Sequence, residues 1–186
     1  MRQLVFLLEE ISAREMLKGL APRIVPETVA IRYVVFEGKQ DLERNIGRRI
    51  RFWRAPNTAF VVLRDQDSGD CLLLKHRLAS ACREAGRNDT VVRIACRELE
   101  SWYFGDLRAV EEGLAVEGVQ RHSRSRKYRV ADEIGSPARE LDRITGGKYQ
   151  KIDGSRAIGP LLSISANTSR SFQVFVEGVR RAVGLS

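Results

Sequence analysis

Four acids in the chain stand where short apolar runs end, and carboxylates placed in that way can hold a divalent cation. Glu9 follows the run Gln3 to Leu8, Asp65 and Asp67 follow Ala59 to Leu63, and Glu98 follows Thr90 to Cys96. Runs of this length, rich in branched apolar residues, read as strands. In an open parallel sheet, functional groups gather beyond the carboxyl ends of the strands. Neighbouring strands lie about 4.8 Å apart, so acids at adjacent ends approach one another and repel unless protons or cations intervene. Hard carboxylate oxygens, with no His or Cys among them, suit Mg²⁺ or Mn²⁺. Residues i and i+2 of an extended segment point to the same side, which would let Asp65 and Asp67 reach one ion or bridge two. A lone Asp-x-Asp is often only a turn. Joined to a strand-end glutamate, it is more specific.

The elements that must position these acids alternate. After the first strand, Ser12-Ala13-Arg14-Glu15 has the form of a capping box, and Ala13, Met16, Leu17, Leu20 and Ile24 follow at helical spacing. Val29 to Phe36 reads as a second strand. Leu42, Ile46, Ile50 and Trp53 mark one helical face, with Arg44, Arg48 and Arg51 opposite. The third strand is almost wholly apolar, as strands buried on both faces are. Gly69 would allow a sharp turn after it, and Asp70 is placed to cap the helix that runs to about Ala85. The fourth strand leads directly into a helix from Glu98 to Tyr103. This alternation implies right-handed crossovers and an α/β fold with a mainly parallel four-stranded sheet. Residues 1–104 form that core. Residues 105–186 read as a helical extension packed on it in a single compact domain, with helices over Pro137 to Ile144 and around Phe172, Phe175, Val176, Val179 and Val183.

Composition narrows the function classes. With 186 residues, 43% hydrophobic and 30% charged, the chain has material for one sizeable core. No apolar run approaches the roughly 20 residues needed to cross a bilayer. The apolar start is broken by Glu9 and Glu10 with no cleavage site after it, so a cytoplasmic protein is expected. The net charge is +8, and only six of the 32 basic residues are lysines. Such a surface favours nucleic acid or another polyanion, although arginine-rich codon usage would produce it too. Cys71, Cys82 and Cys96 match no zinc spacing and read as buried free thiols. His76 and His122 have no acid at telling spacing. No Gly-x-Gly-x-x-Gly follows the first strand, which argues against dinucleotide binding, and no organic cofactor is expected.

The segments Phe6-Leu7-Leu8-Glu9-Glu10, Phe60 to Cys71 with its Asp65-Gln66-Asp67-Ser68-Gly69-Asp70, and Ile94 to Trp102 resemble the Toprim domain. That domain is shared by topoisomerases, primases, RNase M5-type nucleases and overcoming-lysogenization-defect nucleases. Its mark is a glutamate after the first strand and Asp-x-Asp after the third. With Tyr149-Gln150-Lys151 and Ser169-Arg170-Ser171-Phe172, nearly the whole chain resembles a bacterial Toprim-like family labelled domain of unknown function 4276. The resemblance implies a Toprim-like (Rossmann-like) fold. It makes Glu9 a general acid/base or metal ligand, Asp65 and Asp67 metal holders, Glu98 a further ligand and Glu100 a weaker one. Many Toprim relatives carry Gly after the first glutamate and a second acid three or four positions on. Here Glu10 and Ala13 stand at those places.

The expectation is metal-assisted displacement at phosphorus, a nuclease acting on DNA or RNA; the resemblance adds a partner ATPase in a defence-type system. The alternative is a binding or regulatory module that kept the fold and lost turnover. Lys151, with Lys148 behind it, is the candidate cation opposing developing charge; a solvated loop lysine is the competing reading. Arg121, Arg124, Arg126, Lys127 and Lys148 are candidate phosphate contacts, as are the helix arginines 44, 48 and 51, against ordinary solvated surface. Tyr128 could stack on a base, and Trp102 and Tyr103 read as core.

Overall fold

The computed structural model of the protein describes residues 2–185 and is built on one four-stranded sheet. Strands β1 (Arg2–Leu8), β2 (Val29–Val35), β3 (Thr58–Asp65) and β4 (Val91–Ala95) are all parallel, in the order β2-β1-β3-β4. The least polar runs take the two central places. Leu4 to Leu8 of β1 and Phe60 to Leu63 of β3 are buried, because a central strand is covered on both faces. The edge strands are less covered: β2 is half-buried apart from buried Val29 and exposed Arg32, and β4 has Val91 and Arg93 half-buried.

Strand alternation sorts the core into two layers. Leu4, Phe6 and Leu8 of β1, with Val61 and Leu63 of β3, face one layer of helices. That layer is α1 (Ile11–Leu20), α4 (Glu100–Phe104), α5 (Leu107–Gly113), α6 (Pro137–Ile144), α7 (Lys151–Ile158) and α8 (Arg170–Ala182). Val5 and Leu7 of β1, with Phe60 and Val62 of β3, face α2 (Lys39–Arg51) and α3 (Cys71–Glu84). The expected α/β sheet with a C-terminal helical extension is therefore what the chain forms. The extension closes the first face, with α7 against α1 and α8 against β4. Trp102 carries much of that junction. Its ring meets Phe172 at 5.4 Å and Phe175 at 4.8 Å, and its Nε1 donates to the Ser171 hydroxyl at 2.8 Å.

Local details differ from the sequence reading in three places. Helix α1 starts at Ile11 with Glu10 as its N-cap and no side-chain cap bond. The expected capping box does not form. Ser12 instead donates to Glu10, and Glu15 is held by Lys18, Arg156 and Arg14, each at 2.9 Å. The hydrogen bonds from Lys18 and Arg156, ahead of that from Arg14, pull the Glu15 carboxyl down to about 2. Helices α5 and α7 are not evident in the sequence, since both are short and α7 buries only Gly154, Ser155 and Ile158. Asp70, by contrast, caps α3 as expected, accepting from the Leu73 N–H at 2.9 Å. Of the three free thiols Cys82 is buried, but Cys71 and Cys96 are only half-buried. Burial pushes the Cys82 thiol up to about 11. Among the described residues no helix is long and apolar enough to cross a membrane.

Candidate functional site

The register of the sheet decides where each acid goes. Leu8 pairs with Leu63, so the next residues along, Glu9 and Arg64, lie side by side on the face of α2 and α3. Glu9 Oε2 stands 4.0 Å from the buried Arg64 Nε, and Arg64 reaches Glu43 of α2 at 3.0 Å. One residue later the faces alternate, and Asp65 turns toward α1, α4 and α7. Its backbone N–H still donates to Glu9 Oε2 at 3.1 Å, tying the two strand ends together. The two acids thus flank the carboxyl edge of the sheet from opposite faces.

Asp67 does not follow the i, i+2 geometry. The strand ends at Asp65, and Asp67 takes a left-handed backbone with φ 54° in the turn, a conformation that Asp tolerates better than most residues. Its carboxylate pairs with Lys39 at the start of α2, 3.0 Å away. Glu98 is also directed elsewhere, for its Oε2 accepts from the Ala138 N–H at 2.8 Å and caps the first turn of α6. Its place beside Asp65 is taken by Glu100, the first residue of α4, which is fully buried.

Asp65, Glu10, Glu100 and Lys151 make up the inner half of the site. Burial, then the charges of Glu100, Glu9 and Glu10, raise the Asp65 carboxyl well above its usual range. Asp65 takes part in hydrogen bonds only through its backbone among the described residues. Burial likewise raises Glu100. Its Oε1 accepts from the Tyr149 hydroxyl at 2.7 Å, while Oε2 is buried with no partner. Lys151, the first residue of α7, binds Glu10 at 2.6 Å. Burial opposes its charge, but the Glu10 hydrogen bond and the charges of Glu100, Glu10 and Asp65 outweigh that and hold it protonated. Glu9 is raised mainly by burial, against the lowering effects of the Asp65 N–H and Arg64.

Tyr149 escaped the sequence reading as a site residue. It lies two positions before Lys151, and a lone tyrosine there carries no signal of its own. Tyr149→Phe removes the one side-chain donor to Glu100 among the described residues, so it is expected to destabilise the protein by about 1–3 kcal/mol, the scale for a buried acceptor left unpaired. Tyr103→Phe, which loses a bond to the neutral Ser155 hydroxyl at 2.7 Å, should cost less, about 1 kcal/mol. Urea midpoints of the two variants check the order.

Carboxylate oxygens, with no His or Cys among them, are the donor type that hard divalent cations take. Asp65 and Glu100 are buried carboxylates; Glu100 Oε2 is buried without a partner, the Asp65 side chain makes no hydrogen bond among the described residues, and the surrounding acids raise Asp65 further. Among the described residues no three acids, histidines or cysteines are gathered tightly enough to hold an ion as they stand. In this arrangement burial and the neighbouring acids disfavour charge on Asp65, while Lys151 and Lys39 pair with Glu10 and Asp67.

The basic candidates divide in two. Arg121 and Arg124 are exposed and line a cleft of 410 Å³, and Arg126 and Lys148 are exposed without a carboxylate partner among the described residues. Lys127 is spent on Glu140 at 2.7 Å. The stretch is not an open loop but two short 3₁₀ turns, Gln120–Arg124 and Arg126–Tyr128. Tyr128 is buried, stacked on Phe104 at 4.9 Å, and so is not free to stack on a base.

The C-terminal region of the Burkholderia pseudomallei OLD protein superposes on the chain with a TM-score of 0.56 at 14% identity, covering 97% of this chain and 98% of that one. The C-terminal region of the Xanthomonas campestris pv. campestris OLD protein does so with a TM-score of 0.51 at 16% identity, covering 98% and 96%. At such low identity the likeness speaks for the shared Toprim-like α/β fold. No curated protein matches the sequence. The family model described as a domain of unknown function, DUF4276, matches residues 8–180, and the chain belongs to that family.

Proposed function

We propose that the chain performs divalent-metal-dependent phosphodiester chemistry on nucleic acid, at the sheet edge between Glu9 and Asp65. The observation that carries the reading is a pair of buried carboxylates near the Lys151 ammonium: Asp65, whose side chain makes no hydrogen bond among the described residues, and Glu100, whose Oε2 is buried without a partner. Buried like charges without partners are costly, and a fold keeps them where a cation is to be received. Asp65, Glu100 and Glu10 would hold a Mg²⁺ or Mn²⁺ ion, with Glu9 and Asp67 on the opposite flank. The bound ion would lower the pKa of water and offset charge on a phosphoryl oxygen. Glu9, raised by burial and held by the Asp65 N–H, is suited to accept a proton from the attacking water. The Lys151 ammonium opposes negative charge growing on the leaving oxygen. The resemblance noted in the sequence adds an ATPase partner to this reading.

A second reading, a module that binds without turnover, is favoured by the pairs Lys39–Asp67 and Lys151–Glu10 and by Arg64 beside Glu9, which neutralise acids internally. Incubation of the protein with DNA and with RNA in Mn²⁺ separates the two. The enzyme reading predicts cleavage that disappears with Asp65→Ala and falls at least about 100-fold with Lys151→Ala, the scale of losing one preorganised charge donor. Cleavage equal in wild type and Asp65→Ala, or none in either, supports the binding module.

A further inference from the structure

A cleft of 420 Å³ runs along the flank of α2, away from the acidic edge except at one end. Asp41, Asn45, Arg48, Arg49 and Phe52 line it, spaced so that they share one side of the helix. The stripe Leu42, Ile46 and Ile50 on the adjoining side is buried in the core, which fixes how α2 is rotated and so exposes this flank. Trp53 and Phe36 complete the walls at the two ends. The volume lies in the range of small-ligand pockets, about 300–1,000 Å³.

The chemistry of the walls is specific. Arg48 and Arg49 are exposed and have no carboxylate partner among the described residues, whereas Arg64 and Arg77 nearby both bind Glu43. Phe52 is 65% exposed, an aromatic face left in water. Trp53 packs edge-on against Phe60, and its indole Nε1 is buried without a hydrogen-bond partner. At the other end Asp41 accepts from the Glu37 N–H and from the Asn45 amide, which fixes that amide in the cleft. Free guanidinium groups suit phosphate, exposed rings suit the face of a base, and a fixed amide suits a base edge.

The position of the cleft adds a direction. Phe36 donates its N–H to Leu8 O at 2.9 Å, and Gly38 donates to Glu9 O at 3.3 Å. The Phe36 end of the cleft therefore abuts the strand end that carries Glu9. Helix α2 is 13 residues long, about 20 Å at 1.5 Å per residue, so its flank spans several nucleotides of an extended strand.

We infer that this cleft binds a nucleotide unit of single-stranded nucleic acid, with phosphate on Arg48 and Arg49 and an unstacked base on Phe52, and that it leads the strand toward Glu9. A paired base is stacked within its duplex and cannot lie on Phe52, so the cleft selects single strands. The inference deepens the proposed function and rests on nucleic acid as its substrate.

The test is binding in EDTA, which reads the cleft whether or not the acidic edge takes metal or cleaves. Fluorescein-labelled 12-nucleotide DNA and RNA strands, and the matching duplex, are titrated by anisotropy at several salt concentrations. The double variant Arg48→Glu/Arg49→Glu should lose at least about 10-fold in single-strand affinity, and its log–log salt slope should fall by about 1.4, or 0.7 for each phosphate left without its arginine. Arg180→Glu/Arg181→Glu, an equal charge change on exposed residues of α8, should leave the slope unchanged. Phe52→Ala should weaken single-strand binding about 5-fold or more and leave duplex binding as it is. Melting curves confirm that these surface variants fold. Equal losses in the two double variants, no effect of Phe52→Ala, or no strand binding by the wild type would each overturn the inference. So would competition, mole for mole, by a nucleoside monophosphate, which would make the cleft a free-nucleotide site, or by polyglutamate, which would make it an acidic-peptide site.

Discussion

Asp65→Asn is expected to make the metal-free protein more stable at neutral pH while removing its response to Mn²⁺. The carboxyl is raised well above 3.8 by burial and by Glu100, Glu9 and Glu10, so the folded state holds the proton more tightly than the unfolded chain does. The favourable contribution of that proton is fully present below pH 3.8. It is lost as pH rises through the elevated folded-state value, because the unfolded chain ionises first. Glu9 and Glu100 shift in the same direction from 4.5, so wild-type stability should decline from that range upward. Asparagine removes the ionisation at position 65. We expect a gain on the order of 1 kcal/mol at pH 7.5, about 2–4 °C in melting temperature for a chain of this size. The gain should vanish near pH 3.5. In the same variant, metal-dependent cleavage should fall by more than about 100-fold, beyond what outer-shell changes around a metal usually cause. Melting curves in EDTA and in Mn²⁺ read both halves. A variant less stable than wild type at pH 7.5, or one that Mn²⁺ still stabilises, would count against the assignment.

Trp102→Ala carries the largest expected loss of stability, about 3–5 kcal/mol, the scale for emptying a buried tryptophan site. Trp102 is fully buried, joins α4 to α8 through Phe172 and Phe175, and donates to Ser171. Ser171 is in turn bound to Asp132, so the loss also loosens the start of α8. We propose that residues 1–104 and 105–186 fold as one unit. The chain has two tryptophans, so Trp53 becomes the sole tryptophan in this variant and reports from the opposite face of the sheet, against Phe60. In urea, Trp53 emission and far-UV circular dichroism should shift together to a lower midpoint. A Trp53 transition left at the wild-type midpoint would mean that the extension comes away separately.

These two residues also mark how far the sequence could be read. The central strands were legible because continuous apolar runs such as Leu4 to Leu8 have no other short structure that hides them from water. Trp102 read as core for the same reason. The acids were legible as a set at the strand ends, but not in their individual directions. Whether Glu98 or Glu100 faces Asp65 depends on how α4 leaves β4 and on where the N-terminus of α6 comes to rest, 40 residues further on. Local spacing carries neither fact. The Asp-x-Asp argument assumed extended backbone through Asp67, and the turn broke it. The face alternation that separates Glu9 from Asp65 needs the register of β1 on β3, a long-range pairing. Helix α7 is hidden in the sequence because two of its three buried residues are Gly154 and Ser155, leaving Ile158 as the only large apolar one among them. Gly154 is there for space, since a Cβ would lie 2.6 Å from the Tyr149 ring. Small residues give no hydrophobic period to detect.

Calorimetric titration of Mn²⁺ into the protein bears most directly on the acidic edge. We expect saturable uptake by the wild type that both Asp65→Asn and Glu100→Gln abolish, while Glu98→Gln, altered only at the cap of α6, retains it. No uptake by the wild type, or uptake that survives the first two changes and is lost with the third, would contradict the account.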